Sequence, residues 1–171
     1  MSAVASKRPG RPLYTAEQRA RRDSTRWTVV QAILAPVQFL VFLVSLALVL
    51  WFLATGDGYG AATVSILVKT MLLYTIMVTG AIWEKVVFGQ YLFAPAFFWE
   101  DVVSFLVIGL HSLYLYGLLG ENLSQMQLMA VTLAAYTAYV LNAGQFLWKL
   151  RQARRDTEAV GPPKLGQGVA A

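Results

Sequence analysis

The 171-residue chain has no cysteine and a single histidine, His111. The missing thiols exclude disulfides, thiolate-bound zinc, iron–sulfur clusters and a cysteine nucleophile. One histidine excludes a multi-histidine metal cage. Charge is scarce as well. Asp, Glu, Lys and Arg make up 13 % of the residues and hydrophobic types 57 %, against about 25 % and about 45–50 % in soluble domains. Mean hydropathy is +0.55. So few charges cannot cover a water-soluble surface, and an ordinary soluble enzyme is excluded. Phosphate-binding glycine loops, nucleophile elbows and heptad runs are also missing, so nucleotide-driven, flavin and nicotinamide chemistry have no support. The length suits one domain.

What is present is apolar and segmented. Trp27 to Leu53 is free of charge. It exceeds the roughly 20 residues that cross a bilayer and is too long for a signal-peptide core. Ala61 to Trp83 is interrupted only by Lys69, and Val102 to Leu119 only by His111. A fourth span fits Gln127 to Trp148. The expected fold is all-α: a polytopic membrane protein with a four-transmembrane-helix bundle spanning 27–150. A basic segment, 1–26, precedes it, and a tail, 151–171, follows, basic and then disordered over its last ten residues. Thr15-Ala-Glu-Gln reads as the start of a short helix capped by Thr15. Pro36 predicts a kink in the first span, and Gly161-Pro-Pro a helix stop.

The net charge of +5 follows topology rather than nucleic acid. Lys7, Arg8, Arg11, Arg19, Arg21, Arg22 and Arg26 precede the first span. Lys149, Arg151, Arg154, Arg155 and Lys164 follow the fourth, and Lys85 lies between the second and third. The other two loops carry only Asp57 and Glu121. Both termini are therefore expected in the cytoplasm, against anionic lipid.

The segment joining spans two and three, EKVVFGQYLFAPAFFWE from Glu84 to Glu100, is too apolar for an ordinary loop. It is expected to lie in the interface or dip back into the protein. Glu84-Lys85 and Glu100-Asp101 bracket it. Charges at membrane depth cost roughly 2.5–3.5 kcal/mol each and mark function by default. Glu84, Glu100 and Asp101 have two readings: interfacial anchors with a local Glu84–Lys85 pair, or acid–base groups. In the second, desolvation and mutual repulsion leave one carboxyl holding a proton at neutral pH. Glu100, Ser104, Val107 and His111 share one helix face. His111, about 15 Å deeper than Asp101, is either a neutral histidine bonded between helices or an axial ligand to a metal macrocycle. Lys69 either snorkels to the far surface or pairs with a buried carboxylate or substrate acid. Gln31, Gln38 and Ser45 form a stripe on span one. With Asn142 and Gln145 on span four, they read as inter-helix hydrogen bonders.

The run Gly80 to Ser104, GAIWEKVVFGQYLFAPAFFWEDVVS, resembles the signature of the 2-vinyl bacteriochlorophyllide hydratases, also called chlorophyllide 3-vinyl hydratases. Leu13-Tyr-Thr-Ala-Glu-Gln-Arg-Ala-Arg-Arg-Asp, Leu34-Ala-Pro-Val-Gln-Phe-Leu and Leu141-Asn-Ala-Gly-Gln-Phe-Leu-Trp-Lys-Leu-Arg extend the resemblance over roughly Leu13 to Arg155. It implies a cofactor-free hydro-lyase of bacteriochlorophyll biosynthesis in photosynthetic bacteria. The enzyme would add water across the C3 vinyl group of chlorophyllide a, or the related bacteriochlorin, to give a 1-hydroxyethyl group. The family carries no catalytic residues over.

Such a reaction needs an acid, a water, and a base. Glu100 or Glu84 is the expected acid, and Asp101 the base or electrostatic stabiliser. Ser104 and Tyr91 are candidates to orient the water. Phe97, Phe98 and Trp99, with Tyr91, are candidates for holding a flat pigment. His111 is the candidate ligand for the substrate's magnesium; the chain has no metal site of its own. Two other classes are a non-enzymatic pigment carrier or assembly factor and a small four-helix transporter. A homo-oligomer, or association with other pigment-biosynthesis enzymes, stays open.

Overall fold

A computed structural model describes residues 13–160, with side chains through residue 155. The basic residues Lys7, Arg8, Arg11 and Lys164, the Gly161-Pro-Pro stop and the last ten residues, expected to be disordered, lie outside the described range. Five helices follow in order: α1 (Ala16–Ser24), α2 (Arg26–Thr55), α3 (Tyr59–Phe88), α4 (Phe98–Leu119) and α5 (Gln125–Val160). No strand occurs among the described residues. Helices α2, α3, α4 and the Gln125–Arg155 part of α5 are long and apolar enough to cross a membrane. The four-span all-helical expectation holds, and the molecule is a membrane protein.

The helix ends follow from local chemistry. Thr15 caps α1 through a reciprocal box, its hydroxyl accepting from Gln18 N–H while the Gln18 side chain accepts from Thr15 N–H. Thr25 caps α2. Gly56 and Gly89 close α2 and α3 in the left-handed conformation that only glycine adopts without strain. Helix α2 runs on through Pro36. The joining segment is shorter than its sequence suggests. Helix α3 continues past Glu84 and Lys85 to Phe88, and α4 begins at Phe98, so the non-helical linker is residues 89–97. Glu84, Glu100 and Asp101 are therefore held on helices.

Helix α2 packs along α3 and α4 along α5, each as an antiparallel hairpin, while fewer contacts join α3 to α4 and α2 to α5. One apolar core runs through all four long helices, with Phe42, Val49, Ile66, Leu73, Val107 and Met129 among its members. A second gathers Tyr14, Val87, Phe97 and Ala153 at the linker end, where α1 lies across α3. Polar side chains also join the helices. Gln31 donates to Thr79 at 2.8 Å, and Ser45 bridges Ser65 and Tyr136. Two members of the expected α2 stripe are thus inter-helix bonders. The third, Gln38, is buried with both amide atoms unpartnered. Lys69 does not snorkel. It is fully buried, its ammonium over the Tyr139 ring, because its stem lies between hairpins rather than along the lipid face.

The turn between α4 and α5 folds Leu123 back onto Gly117. A Cβ at Gly117 would stand 2.4 Å from Leu123 Cδ1 and 2.8 Å from its Cγ, whereas one at Gly144 meets nothing within 4 Å. Gly117→Ala is therefore expected to destabilise the protein by about 1–3 kcal/mol through overpacking. Gly144→Ala is expected to stabilise it by about 0.5–1 kcal/mol through helix propensity. Thermal unfolding in detergent measures both, and equal midpoints would contradict the packing at this turn.

Candidate active site

The linker returns to the bundle because its backbone amides find acceptors there. Phe93 N–H donates to Asp101 Oδ2 at 2.6 Å, and Ala94 N–H to Glu84 Oε2 at 3.2 Å. Phe93 is a non-glycine residue at φ +59°, a left-handed conformation held only where the surroundings over-determine it. Its amide bond to Asp101 and its ring, stacked at 5.5 Å on Phe105, supply that constraint. Two adjacent amides thus pin two carboxylates on different helices.

Glu84 comes from the last turns of α3 and Asp101 from the first turn of α4. Both are buried, at 5 % and 4 % exposure. Their carboxyl groups are close enough to interact directly, and two carboxyls brought together away from water favour one of them carrying a proton. The expected Glu84–Lys85 pair does not form. Adjacent helical residues diverge by about 100°, so Lys85 turns outward, donating to Gly89 O at 2.8 Å with its ammonium 5.3 Å from the Tyr91 ring.

Glu100 is buried but faces a different partner. Its Oε1 lies 3.6 Å from Lys149 Nζ on α5, and its Oε2 has no hydrogen-bond partner. The Lys149 ammonium also donates to Ala96 O, so one cation clamps linker and helix together. Asn142 donates to Glu100 O at 2.9 Å and to Ser104 Oγ at 3.0 Å, and Ser104 Oγ donates to Glu100 O at 2.8 Å. These bonds fix the start of α4 against α5. Gln145, the other polar residue expected on that face, has its Oε1 unpartnered.

The expected aromatic residues divide between two surfaces. Phe97 is buried, its ring 5.6 Å from Trp83, 5.8 Å from Phe88 and 6.1 Å from Phe146. Tyr14 stacks on Phe88 at 5.7 Å, and burial pushes its phenol above the ordinary value, opposed by Arg22. Tyr91, Phe98 and Trp99 are exposed, at 59 %, 43 % and 68 %. Phe93, which no local sequence signal separates from its aromatic neighbours, links Asp101 to this outer surface through its amide and its contact with Phe98 at 5.6 Å.

His111 lies deeper on the same inward face as Glu100, Ser104 and Val107, as its spacing predicts. Its Nδ1 is 2.8 Å from Val107 O. A carbonyl only accepts, so Nδ1 carries the proton and Nε2 presents its lone pair. That Nε2 is buried and unpartnered. Among the described residues, no group of three or more His, Cys, Asp or Glu side chains could hold a metal ion.

The family described as 2-vinyl bacteriochlorophyllide hydratase has a model matching residues 14–152 of the chain. A protein of Cereibacter sphaeroides with that name is 70 % identical over 159 residues, covering 93 % of this chain and 99 % of its own. One of Rhodobacter capsulatus, with the same name, is 73 % identical over 142 residues, covering 83 % and 82 %. No solved structure matches.

Removing the acceptor at residue 101 leaves the partly buried Phe93 amide without its partner, a loss of about 1 kcal/mol. Asp101→Ala is accordingly expected to accelerate amide exchange across residues 90–96, while Asp101→Asn, which keeps an acceptor oxygen, slows it back toward the parent. Hydrogen-exchange mass spectrometry of the linker peptide reads this directly; no acceleration in the alanine variant would show that the linker is held by something else.

Proposed function

The chain belongs to the 2-vinyl bacteriochlorophyllide hydratase family, and from that premise we propose how its carboxyl pair adds water to a vinyl group. The enzyme is a hydro-lyase of bacteriochlorophyll biosynthesis. The contact between Glu84 and Asp101, backed by the two linker amides, carries the proposal.

Glu84 is the acid. It stands near the C-terminal end of α3, where the helix dipole opposes a negative charge, whereas Asp101 stands near the N-terminus of α4, where the dipole favours one. The shared proton therefore rests on Glu84 and bridges to Asp101. Transfer of that proton to the terminal vinyl carbon leaves a cation on the inner carbon, delocalised into the macrocycle. Two adjacent carboxylates then face it and stabilise it. Water adds to the inner carbon and releases a proton to Asp101. Passage of this proton across the existing contact restores Glu84. One water is consumed, the carbon gains one hydrogen and one hydroxyl, and no electron acceptor is needed.

Glu100, paired with Lys149, has a ready counter-charge and is the weaker acid candidate. Its part, with Ser104 and Asn142, is to hold α4 in register, and Ser104 stays the candidate for orienting the water. Phe97 forms an inner aromatic wall. Tyr91, Phe98 and Trp99 provide an outer surface on which a flat pigment approaches from the interface. His111 Nε2 is the ligand for the substrate's magnesium. Along α4 it is about 15 Å from Asp101, but side chains lean toward the N-terminus of their own helix, so His111 and Glu84, on antiparallel helices, incline toward each other. Both termini and the linker lie on the cytoplasmic side of a bacterial photosynthetic membrane. The basic residues flanking α2 and α5 support this orientation.

Conversion of the vinyl pigment, followed by the blue shift on loss of its conjugation, tests the acid–base assignment. Glu84→Gln and Asp101→Asn are expected to lower kcat by about 10²–10⁴-fold, and Glu100→Gln by less. Near-parental turnover in the first two, with intact thermal unfolding, would remove the carboxyl pair from the mechanism. Stoichiometric binding without turnover in the parent protein would favour the carrier. For topology, the cysteine-free chain allows single thiols to be placed at will. Ser24→Cys is expected to resist a membrane-impermeant maleimide added outside intact cells, while Asp57→Cys reacts; the reverse pattern would invert the orientation.

A further inference from the structure

The half of the α2–α3 hairpin nearer the linker has little cover from the other two long helices. Between Leu73 and Glu84, nearly three turns, α3 has no buried residue, and α2 has none before Gln38. Toward the other end both helices bury a side chain on each turn, as at Phe42, Ser45 and Val49 or at Ala62, Ile66 and Leu73. On α4 the facing stretch, from Asp101 to His111, buries only Val107 between its ends. Helices α2 and α3 still hold each other here, through Gln31 with Thr79 and Trp83 with Thr28. What is missing is cover from α4 and α5.

Helices α3 and α4 share few contacts beside those within either hairpin, and side chains bridge them at two levels. At the linker end Glu84 comes together with Asp101. Deeper, Tyr74 Oη and Ser112 Oγ are 2.8 Å apart. From Tyr74 to Glu84 is about 15 Å along α3, and from Asp101 to Ser112 about 16 Å along α4. The two bridges thus bracket one interval of equal length on both helices. In a bilayer its open face meets acyl chains, which a flat apolar molecule can replace without loss of protein packing. The deeper bridge also keeps a donor in hand. Two hydroxyls bonded to each other use one of their two protons, and neither Tyr74 nor Ser112 has another hydrogen-bond partner among the described residues.

Resting on the hydratase function above, we propose that the macrocycle lies along the α3–α4 seam with its vinyl group at the carboxyl pair, and that Tyr74 and Ser112 donate their spare hydroxyl proton to the ring ketone on its opposite edge. The skeleton of the pigment fits the interval. Its vinyl group and the ketone of its carbocyclic ring stand on opposite sides of the disc, on the order of 12 Å apart by ordinary bond lengths. A hydrogen bond at the ketone adds about 3 Å. A vinyl group is a hydrocarbon and gives the carboxyl pair nothing to grip, so a disc held at that edge alone slides in the seam. A second hold at the far edge stops the sliding and keeps the terminal vinyl carbon against Glu84. His111 agrees with this placement. Its Nδ1 bonds Val107 O, which draws the ring back toward the middle of the interval, where the magnesium of a disc so placed falls.

The experiment compares the ketone pigment with an analogue in which a methylene group replaces the ketone. Both are assayed in detergent, on the parent protein and on a double variant carrying Tyr74→Phe and Ser112→Ala. The parent is expected to show a KM for the ketone roughly five- to tenfold below that for the analogue. The double variant is expected to raise the ketone's KM to the analogue's and to leave the analogue's KM where it was. Resonance Raman of the bound pigment is expected to place the ketone stretch lower in the parent than in the double variant. Equal KM values for the two pigments in the parent, or the same ketone stretch in parent and double variant, would overturn the proposal. So would a double variant that loses both pigments equally, which makes the Tyr74–Ser112 bond a tie between helices and nothing more. Turnover with no ketone preference sinks this site alone, whereas no turnover of either pigment by the parent sinks the hydratase function and this site with it.

Discussion

A backbone amide and a carboxylate, each costly to leave unpartnered away from water, satisfy each other at the end of this bundle. Phe93 and Ala94 leave the helix ladder when the chain breaks at Gly89, and their N–H groups must find acceptors. Asp101 and Glu84, buried on two different helices, must find donors. The linker folds inward because this exchange solves both problems at once. Phe93 accepts a left-handed backbone in return for that bond and its stacking on Phe105. Remove the carboxylates and two linker amides lose their acceptors; remove the linker and the carboxylates lose what fixes their orientation.

Everything else at this end reinforces the junction. The Lys149 ammonium holds Ala96 O and Glu100, so the last span closes over the linker. Asn142 ties Glu100 O and Ser104 Oγ to α5. Tyr14, just before α1, packs against Phe88 and Phe97, so the segment before the first span braces the linker. The order is structural support first and chemistry second. A carboxyl pair can pass a proton back and forth only if its two members stay in contact through the reaction, and four elements converge to keep them there.

Much of this was legible in the chain itself. Hydropathy alone places the four spans, because uncharged runs such as Trp27 to Leu53 have no other stable environment. The inward face of α4 follows from the spacing of Glu100, Ser104 and His111, and the α1 cap from Thr15 and Gln18. What escaped depends on direction and on distant neighbours. Glu84 and Lys85 look like a pair in a string of letters, yet a helix sends them to different faces. Lys149 reads as one more topogenic charge and proves to be a clamp, since its partners Glu100 and Ala96 are about fifty positions away. Phe93 is one of several aromatics in the linker, and only its backbone conformation separates it from them. The one readable hint was the brevity of the true break: Gly89 is a helix stop, and nine residues later the acidic first turn of α4 has begun.

Lys69 shows the same division most sharply. Its depth follows from its place in an apolar run, and depth alone suggests escape to the far surface along a lipid-facing stem. That expectation assumes the side chain can choose its face. Here the stem lies in the seam between two hairpins, and its ammonium ends against Tyr139, seventy residues on, with no acceptor of its own. A group so placed costs the bundle stability, because a ring face replaces only part of the hydration that burial removes. The carboxyl pair at the linker end has the opposite character, complete before any substrate is present. Glu84 and Asp101 meet the linker amides, whereas Lys69 meets only the Tyr139 ring, so depth alone does not decide whether a buried charged group is satisfied; the neighbours that the fold brings to it do.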